Sequence, residues 1–310
     1  MITSQSNNDT VVCYIRTKNK IRKLITYGSN DCILRSKHIE IFNFLEKRFV
    51  PSIFTKGFVK KRSIYHNALA HMYNDTFIML DIKDFFPNIC HHQLAEKIYY
   101  EINLKKPNQI SHKECSYVVN VCSVNKRGLP LGFITSPILS NIYMKEFDNI
   151  FYGRLKELGQ SNIIYTRYAD DITVSYKDVN EHNFKDRAYE ITDLASSLLL
   201  RYGLRLNKNK TRYYNMNISN HVRITGVNII KQFNGARRLT VGRAIKNKLF
   251  WEAVKCMKSP DCDRINYVKG LQSFVLSIDK KDSETCYSPV MMQIVNSYGF
   301  NSLKELIDSL

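Results

Sequence analysis

Two short clusters of aspartates are the residues of this chain whose type and spacing suit chemistry. The first is Leu80-Asp81-Ile82-Lys83-Asp84-Phe85-Phe86-Pro87, at the end of an apolar run. The second is Tyr168-Ala169-Asp170-Asp171, between Ile163-Ile164-Tyr165-Thr166-Arg167 and Ile172-Thr173-Val174-Ser175. Aspartate is a poor strand residue, and adjacent carboxylates at a hairpin tip repel one another. Either cluster alone reads equally well as a polar turn. Together they ask for compensating positive charge. A pair of Mg²⁺ ions roughly 3.5–4 Å apart supplies it, and in-line phosphoryl transfer uses such a pair.

The composition agrees with a polyanionic partner. The 310 residues carry 46 Lys plus Arg against 28 Asp plus Glu, a formal charge of +18, which draws phosphate-rich molecules to a surface. With 44% apolar and 24% charged residues, the chain is globular rather than disordered. Its apolar runs, such as Phe77-Ile78-Met79-Leu80, are far shorter than the ~20 residues that cross a bilayer. The polar first ten residues lack the apolar core of a signal peptide. No two of the eight cysteines are spaced Cys-x-x-Cys, so reduced, buried thiols in a cytosolic protein are the simplest account.

Elements that position the aspartates follow from the pattern. Residues 76–82 predict a buried strand, and 163–176 two short strands around a polar tip. Helices are expected over 36–48, 91–100, 113–123, 138–158 and 188–200, the last closed by Tyr202-Gly203. Leu24–Tyr27 reads as a strand preceded by Arg16, Lys18, Lys20, Arg22 and Lys23, a run without an acid. Beyond about residue 240 the chain is mostly helical, with Val241, Ile245, Leu249, Ala253 and Met257 as one apolar stripe. Residues 231–258 hold eight basic residues and one acid, Glu252. That imbalance predicts a phosphate-facing surface bearing Arg243, Lys246 and Lys248.

These blocks resemble a known family. Tyr168-Ala169-Asp170-Asp171 resembles the hallmark tetrapeptide of reverse transcriptases, and the Asp81 cluster the first catalytic motif of the same palm. Gly128-Leu129-Pro130-Leu131-Gly132-Phe133-Ile134-Thr135-Ser136-Pro137, followed by Asn141, and Gly203-Leu204-Arg205-Leu206-Asn207-Lys208-Asn209-Lys210-Thr211 resemble the next blocks, in the family's order. Two further features resemble the bacterial retron branch: Asn67-Ala68-Leu69-Ala70-His71, and Ile224-Thr225-Gly226, where Ile replaces the usual Val.

The resemblance implies an α/β right-hand polymerase fold, with fingers and palm over residues 1–230 and a helical, basic, RNA-binding thumb over 231–310. It implies RNA-directed DNA synthesis in a bacterial cytoplasm with no membrane partner. A cognate non-coding RNA would be copied from an internal 2′-OH into branched msDNA, in antiphage defence with an effector encoded in the same operon. By the same resemblance Asp81, Asp170, Asp171 and the Ile82 carbonyl hold two Mg²⁺ ions, and Lys210 protonates or neutralises the leaving pyrophosphate. Arg22, Asp84, Phe85, Phe86 and Gly132 contact the dNTP, with Phe86 as the steric gate against a ribose 2′-OH. Asn67, His71, Thr225 and Gly226 serve RNA or msDNA recognition, together with Arg243, Lys246 and Lys248. Other readings stay open: a group II-intron-like, diversity-generating or abortive-infection reverse transcriptase, or a nucleoprotein scaffold that holds an effector.

Overall fold

The computed structural model describes residues 2–7, 9–17, 20–159, 162–177, 184–259, 261–279, 284 and 286–310. In chain order the elements are β1 (Ile2–Asn7), β2 (Thr10–Thr17), β3 (Lys20–Tyr27), α1 (Ile33–Glu46), α2 (Ile64–Ala70), β4 (Thr76–Asp81), α3 (Phe85–Asn88), α4 (His91–Asn103), α5 (His112–Val121), α6 (Ser136–Glu157), β5 (Ile164–Tyr168), β6 (Asp171–Tyr176), α7 (Phe184–Arg201), β7 (Arg212–Asn215), β8 (His221–Ile224), β9 (Val227–Lys231), β10 (Arg237–Thr240), α8 (Arg243–Lys258), α9 (Cys262–Asp279), α10 (Pro289–Ser297) and α11 (Leu303–Asp308). They form two compact units: Met1–Ser63 with Thr76–Tyr213, and Ile64–Asp75 with Tyr214–Leu310.

The first unit is built on a sheet of order β5-β6-β4-β7, in which β6 runs antiparallel to both β5 and β4. Strand β4 is apolar on both faces, with Phe77 and Met79 alternating with Ile78 and Leu80, while β6 buries Ile172, Val174 and Tyr176 on one face and Thr173 and Ser175 on the other. The long helix α6 shows no single stripe. Ile138, Leu139, Ile142, Tyr143, Met144, Phe147, Phe151 and Leu155 bury it around most of its circumference, which makes it the central helix of the core. Ser111 and Glu114 form a reciprocal capping box that starts α5. The thiols of Cys115 and Cys122 lie in this core, where burial pushes them up to about 11 and about 12, so both stay protonated at neutral pH.

Strands β1, β2 and β3 form a separate antiparallel sheet. Its end is fastened to the Gly132 loop. Tyr27 Oη accepts from the Ile134 amide (3.1 Å) and bonds His38 Nδ1 (2.8 Å), while His38 Nε2 faces the Val121 carbonyl (2.9 Å). A Cβ built on Gly132 would lie 2.2 Å from the Ile25 carbonyl oxygen. This glycine is therefore required by the chain's own backbone.

The second unit holds the antiparallel sheet β10-β9-β8 and the helices α2 and α8 to α11. Residues 64–75 belong to it through Arg237, whose guanidinium donates to the Met72 carbonyl (3.1 Å) and the Asn74 carbonyl and pairs with Asp75. The packing boundary thus falls at 213/214, earlier than the 230/231 division expected from the sequence. Between α8 and α9 lies a buried ion pair, Lys246 Nζ to Asp279 Oδ1 at 2.6 Å, with side chains 3% and 1% exposed. Among the described residues no helix is long and apolar enough to cross a membrane.

Candidate active site

The two aspartate clusters meet at one edge of the β5-β6-β4 sheet. Asp81 ends β4 and Asp171 begins β6, and the two are direct antiparallel partners. Tyr168 pairs with Asp171 across the β5–β6 hairpin, leaving Ala169 and Asp170 as its two-residue tip. Ala169 has φ +56°, a left-handed conformation that a residue with a Cβ adopts at a cost. The tip is tied to β4 by the Ile82 amide, which donates to the Asp170 carbonyl (3.0 Å). Behind it, the Asn207 amide donates to the Asp81 carbonyl (2.8 Å) and the Lys83 amide to the Arg205 carbonyl (2.8 Å). These two bonds bring the loop that carries Lys210 to the same edge.

Lys210 Nζ lies 2.7 Å from Asp81 Oδ2. The Asp81 carboxylate is the first cause holding the Lys210 ammonium above its ordinary value, and the lysine remains 57% exposed. Burial, then the charges of Asp170 and Asp81, pushes Asp171 up to about 6. Burial and the Asp81 charge also raise Asp170, while Lys210 and Arg22 oppose the rise. Arg22, exposed on β3, is therefore within electrostatic reach of the tip.

Among the described residues no three Asp, Glu, His or Cys side chains are already gathered around one point, and Asp81 is paired with Lys210. The donor set still fits a hard divalent cation. Its ligands are carboxylate oxygens, two of them are held above the usual carboxylate range by burial and by neighbouring acids, and an ammonium is already seated against the third. Asp81, Asp170, Asp171 and the main chain of Ile82 are the groups that would hold such an ion.

Asp84 is exposed at φ +46° beside this edge. Phe85 is buried, and Phe86 is 9% exposed with its ring against Phe85 and Phe58. The Leu129 amide donates to the Phe86 carbonyl (2.9 Å) and the Gly128 amide to the Ile89 carbonyl (2.9 Å), so the glycine-proline block is knitted to the Asp81 turn.

The retron-like residues lie in the second unit. Thr225 and Gly226 form the two-residue turn of the β8–β9 hairpin, with φ +44° and +92°. Positive φ at both positions is the turn that matches strand twist, and Thr is a costly residue for it. Asn67 Nδ2 on α2 donates to Thr225 Oγ1 (3.1 Å), so the two sequence blocks meet in one hydrogen bond. Asn67 and His71 are buried, and a Cβ on Gly226 would meet open space. On α8, Arg243 and Lys248 are exposed, with the Lys248 ammonium 5.1 Å from the Tyr267 ring centre. Lys246 departs from the expected phosphate face. Its position falls on the side of α8 that buries Leu249, Phe250 and Ala253, and Asp279 neutralises it there. Lys18 lies outside the described residues.

The sequence reading missed a buried cluster behind the tip, made of Arg167, Asp148, Tyr165, Thr55 and Asn141. Its signal is a charged residue inside an apolar strand and a lone acid among the buried positions of α6.

Among similar proteins, retron Ec73 reverse transcriptase of Escherichia coli is 29% identical over 201 residues, 62% of this chain and 59% of that protein. Retron Ec86 reverse transcriptase of Escherichia coli is 28% identical over 263 residues, 85% of this chain and 74% of that protein. Two solved structures of apo telomerase from Candida tropicalis superpose with a TM-score of 0.52. The C-terminally truncated one is 13% identical and covers 76% of this chain and 56% of its own. The other is 12% identical and covers 99% and 65%. These two likenesses show the fold alone, a mixed α/β right-hand polymerase fold. Residues 37–229 match the profile of the family described as reverse transcriptase (RNA-dependent DNA polymerase). That stretch is well over half of the chain, runs from α1 into β9 and contains both aspartate-bearing strands; the chain belongs to this family of RNA-directed DNA polymerases, which generally use divalent metal ions, and within it resembles the bacterial retron reverse transcriptases.

Proposed function

We propose that this protein copies part of a cognate, folded non-coding RNA into DNA, starting from an RNA 2′-OH and giving branched msDNA. The observation that carries the reading is the convergence of Asp81, Asp170 and Asp171 at one sheet edge with Lys210 2.7 Å from Asp81. Two Mg²⁺ ions bound there would lower the pKa of the attacking hydroxyl and neutralise the triphosphate.

The chain's own groups have distinct tasks in this reading. Asp81, Asp170 and Asp171 supply carboxylate oxygens, and Ile82 a carbonyl. Lys210 is free to leave Asp81 for the departing pyrophosphate once another cation takes that carboxylate. Arg22 faces the nucleotide phosphates, Asp84 and Phe85 line the triphosphate, and Phe86 lies beneath the sugar. Gly132 sets the floor under the base pair through its contact with β3. Asn67 and His71 shape the surface on which Thr225 and Gly226 meet the RNA, and Arg243 and Lys248 face its phosphates. The helical C-terminal region serves as the thumb. The resemblance to retrons supports a cytoplasmic enzyme that acts with its msDNA and an effector from the same operon in antiphage defence.

Purified protein incubated with its cognate RNA, dNTPs and Mg²⁺ is expected to yield DNA covalently joined to RNA. EDTA should stop the synthesis, and so should Asp81→Asn, because an amide does not replace the carboxylate charge. Near-normal synthesis by Asp81→Asn would refute the two-metal reading. Binding of the folded RNA that survives in Asp170→Ala and Asp171→Ala separates the nucleoprotein role from the polymerase.

A further inference from the structure

We infer that Arg167 is a positioning residue: its buried guanidinium holds the Ala169 carbonyl and so fixes the left-handed turn that aims Asp170 and Asp171. This inference rests on the reading of those aspartates as metal-binding groups.

A guanidinium has five N–H donors, and here all five have acceptors. Nε donates to Asp148 Oδ1 (2.7 Å), and Nη2 donates to Asp148 Oδ2 (2.9 Å) and Thr55 Oγ1 (2.9 Å). Nη1 donates to the Ala169 carbonyl (3.1 Å) and Asn141 Oδ1 (3.4 Å). Asp148 is equally occupied, accepting also from Tyr165 Oη (2.7 Å) and Thr55 Oγ1 (2.9 Å). Arg167 and Asp148 are both wholly buried. A bidentate pair of this kind has one orientation, so the remaining nitrogen points at a fixed place. That place is the carbonyl of the one residue at the hairpin tip with a Cβ and a positive φ.

A second support comes from the segment before α2. Thr55 forms a parallel bridge with Arg167; the Arg167 amide donates to the Phe54 carbonyl (3.0 Å) and the Lys56 amide to the Arg167 carbonyl (2.7 Å). A Cβ on Gly57 would lie 2.9 Å from the Ala169 nitrogen and 3.3 Å from the Tyr168 carbonyl carbon. Bare backbone is thus pressed against the back of the tip. Asn141 Nδ2 closes the ring by donating to the Gly57 carbonyl (3.1 Å). A plain core ion pair would need none of these contacts to Ala169.

Lysine at 167 keeps the charge but loses the fork. The test uses the full chain with three readouts: thermal unfolding, Mn²⁺ binding by electron paramagnetic resonance without substrate, and extension of oligo(dT) on poly(rA) at varied Mg²⁺. Arg167→Lys is expected to weaken Mn²⁺ binding and raise the half-saturating Mg²⁺ about tenfold, the scale of one left-handed residue's penalty, with the KM for dTTP changed less than twofold. Adding Ala169→Gly should restore most of the loss, because glycine holds a positive φ unaided. Folded Arg167→Lys with unaltered Mn²⁺ binding, or a loss that Ala169→Gly does not relieve, would overturn the inference. Should Arg167→Lys not fold, Gly57→Ala carries the test. It leaves the ion pair intact and displaces the tip, so the same loss of Mn²⁺ binding is expected, and wild-type binding overturns the inference. Asp170→Ala is the control on the underlying reading. If it keeps Mn²⁺ binding and synthesis, the metal assignment fails. If it loses both while Arg167→Lys is normal, only the inference about Arg167 fails.

Discussion

Asp171 and Phe86 show how single positions balance stability against the proposed chemistry. The Asp171 carboxyl is raised to about 6 by burial and by its acidic neighbours, above the ordinary ~3.9 of an unfolded chain. A raised carboxyl stabilises the fold while it is protonated, so this contribution is present below about pH 4 and is lost as pH rises through 6. Metal-free protein at pH 7 therefore carries an electrostatic cost on the order of 2–3 kcal/mol. Asp171→Asn should raise the melting temperature in EDTA at pH 7 and show little effect at pH 4, while synthesis falls. A melting temperature at pH 7 that does not rise would contradict the cost assigned to burying this charge among acids. Phe86 is nearly buried against Phe85 and Phe58, so Phe86→Ala should cost about 3 kcal/mol as a core truncation. As the proposed gate it should also admit rNTPs more readily, read as the ratio of rNTP to dNTP incorporation. Unchanged sugar discrimination would leave Phe86 a core residue alone.

At the scale of elements, helix α8 separates lysines that look alike in the sequence. Neutralising Lys246 strands the Asp279 carboxylate, buried at 1% exposure and already accepting from the Val241 amide (2.9 Å). Lys246→Met should cost roughly 3–5 kcal/mol in thermal unfolding, and Lys246→Met with Asp279→Leu should recover part of it. Arg243→Gln and Lys248→Gln, both exposed, should stay within about 0.5 kcal/mol of wild type. This is also where the sequence stopped being readable. The strands β4, β5 and β6 and helices α1 and α4 to α7 follow from apolar period and length, and the aspartates stand out because strands disfavour them. The partnership of Lys246 with Asp279, and of Arg167 with Asp148, depends on pairings across elements that no local pattern records. Strand β1, Ile-Thr-Ser-Gln-Ser-Asn, has almost no apolar residues, and it takes its place by pairing with β2. Strand β10 was hidden in the basic stretch, β8 and β9 precede it as strands of four and five residues too short to stand out, and the glycine at 132 answers to Ile25 more than 100 residues earlier.

For the whole molecule, the net charge of +18 sets the expected behaviour toward RNA. Binding of the cognate RNA should weaken steeply with salt, since released counterions drive phosphate contacts. Removing Arg243 and Lys248 together should lower the slope of log K against log salt by about two. Lys246→Met, compared under conditions where it is folded, should leave that slope unchanged. Filter binding at several salt concentrations measures both. Equal slopes for all variants would place the phosphate contacts elsewhere.

The return of the chain through the second unit has a consequence for synthesis on the ribosome. Helix α2 emerges early, yet the Thr225 hydroxyl that Asn67 meets lies 158 residues further on, and Arg237, which fastens residues 72–75, comes later still. The β4–β6 core of the first unit is complete in the nascent chain before either partner has been translated. The second unit therefore closes last, and a chain cut after residue 213 would carry Asp81, Asp170, Asp171 and Lys210 with α2 still lacking the β8–β9 hairpin.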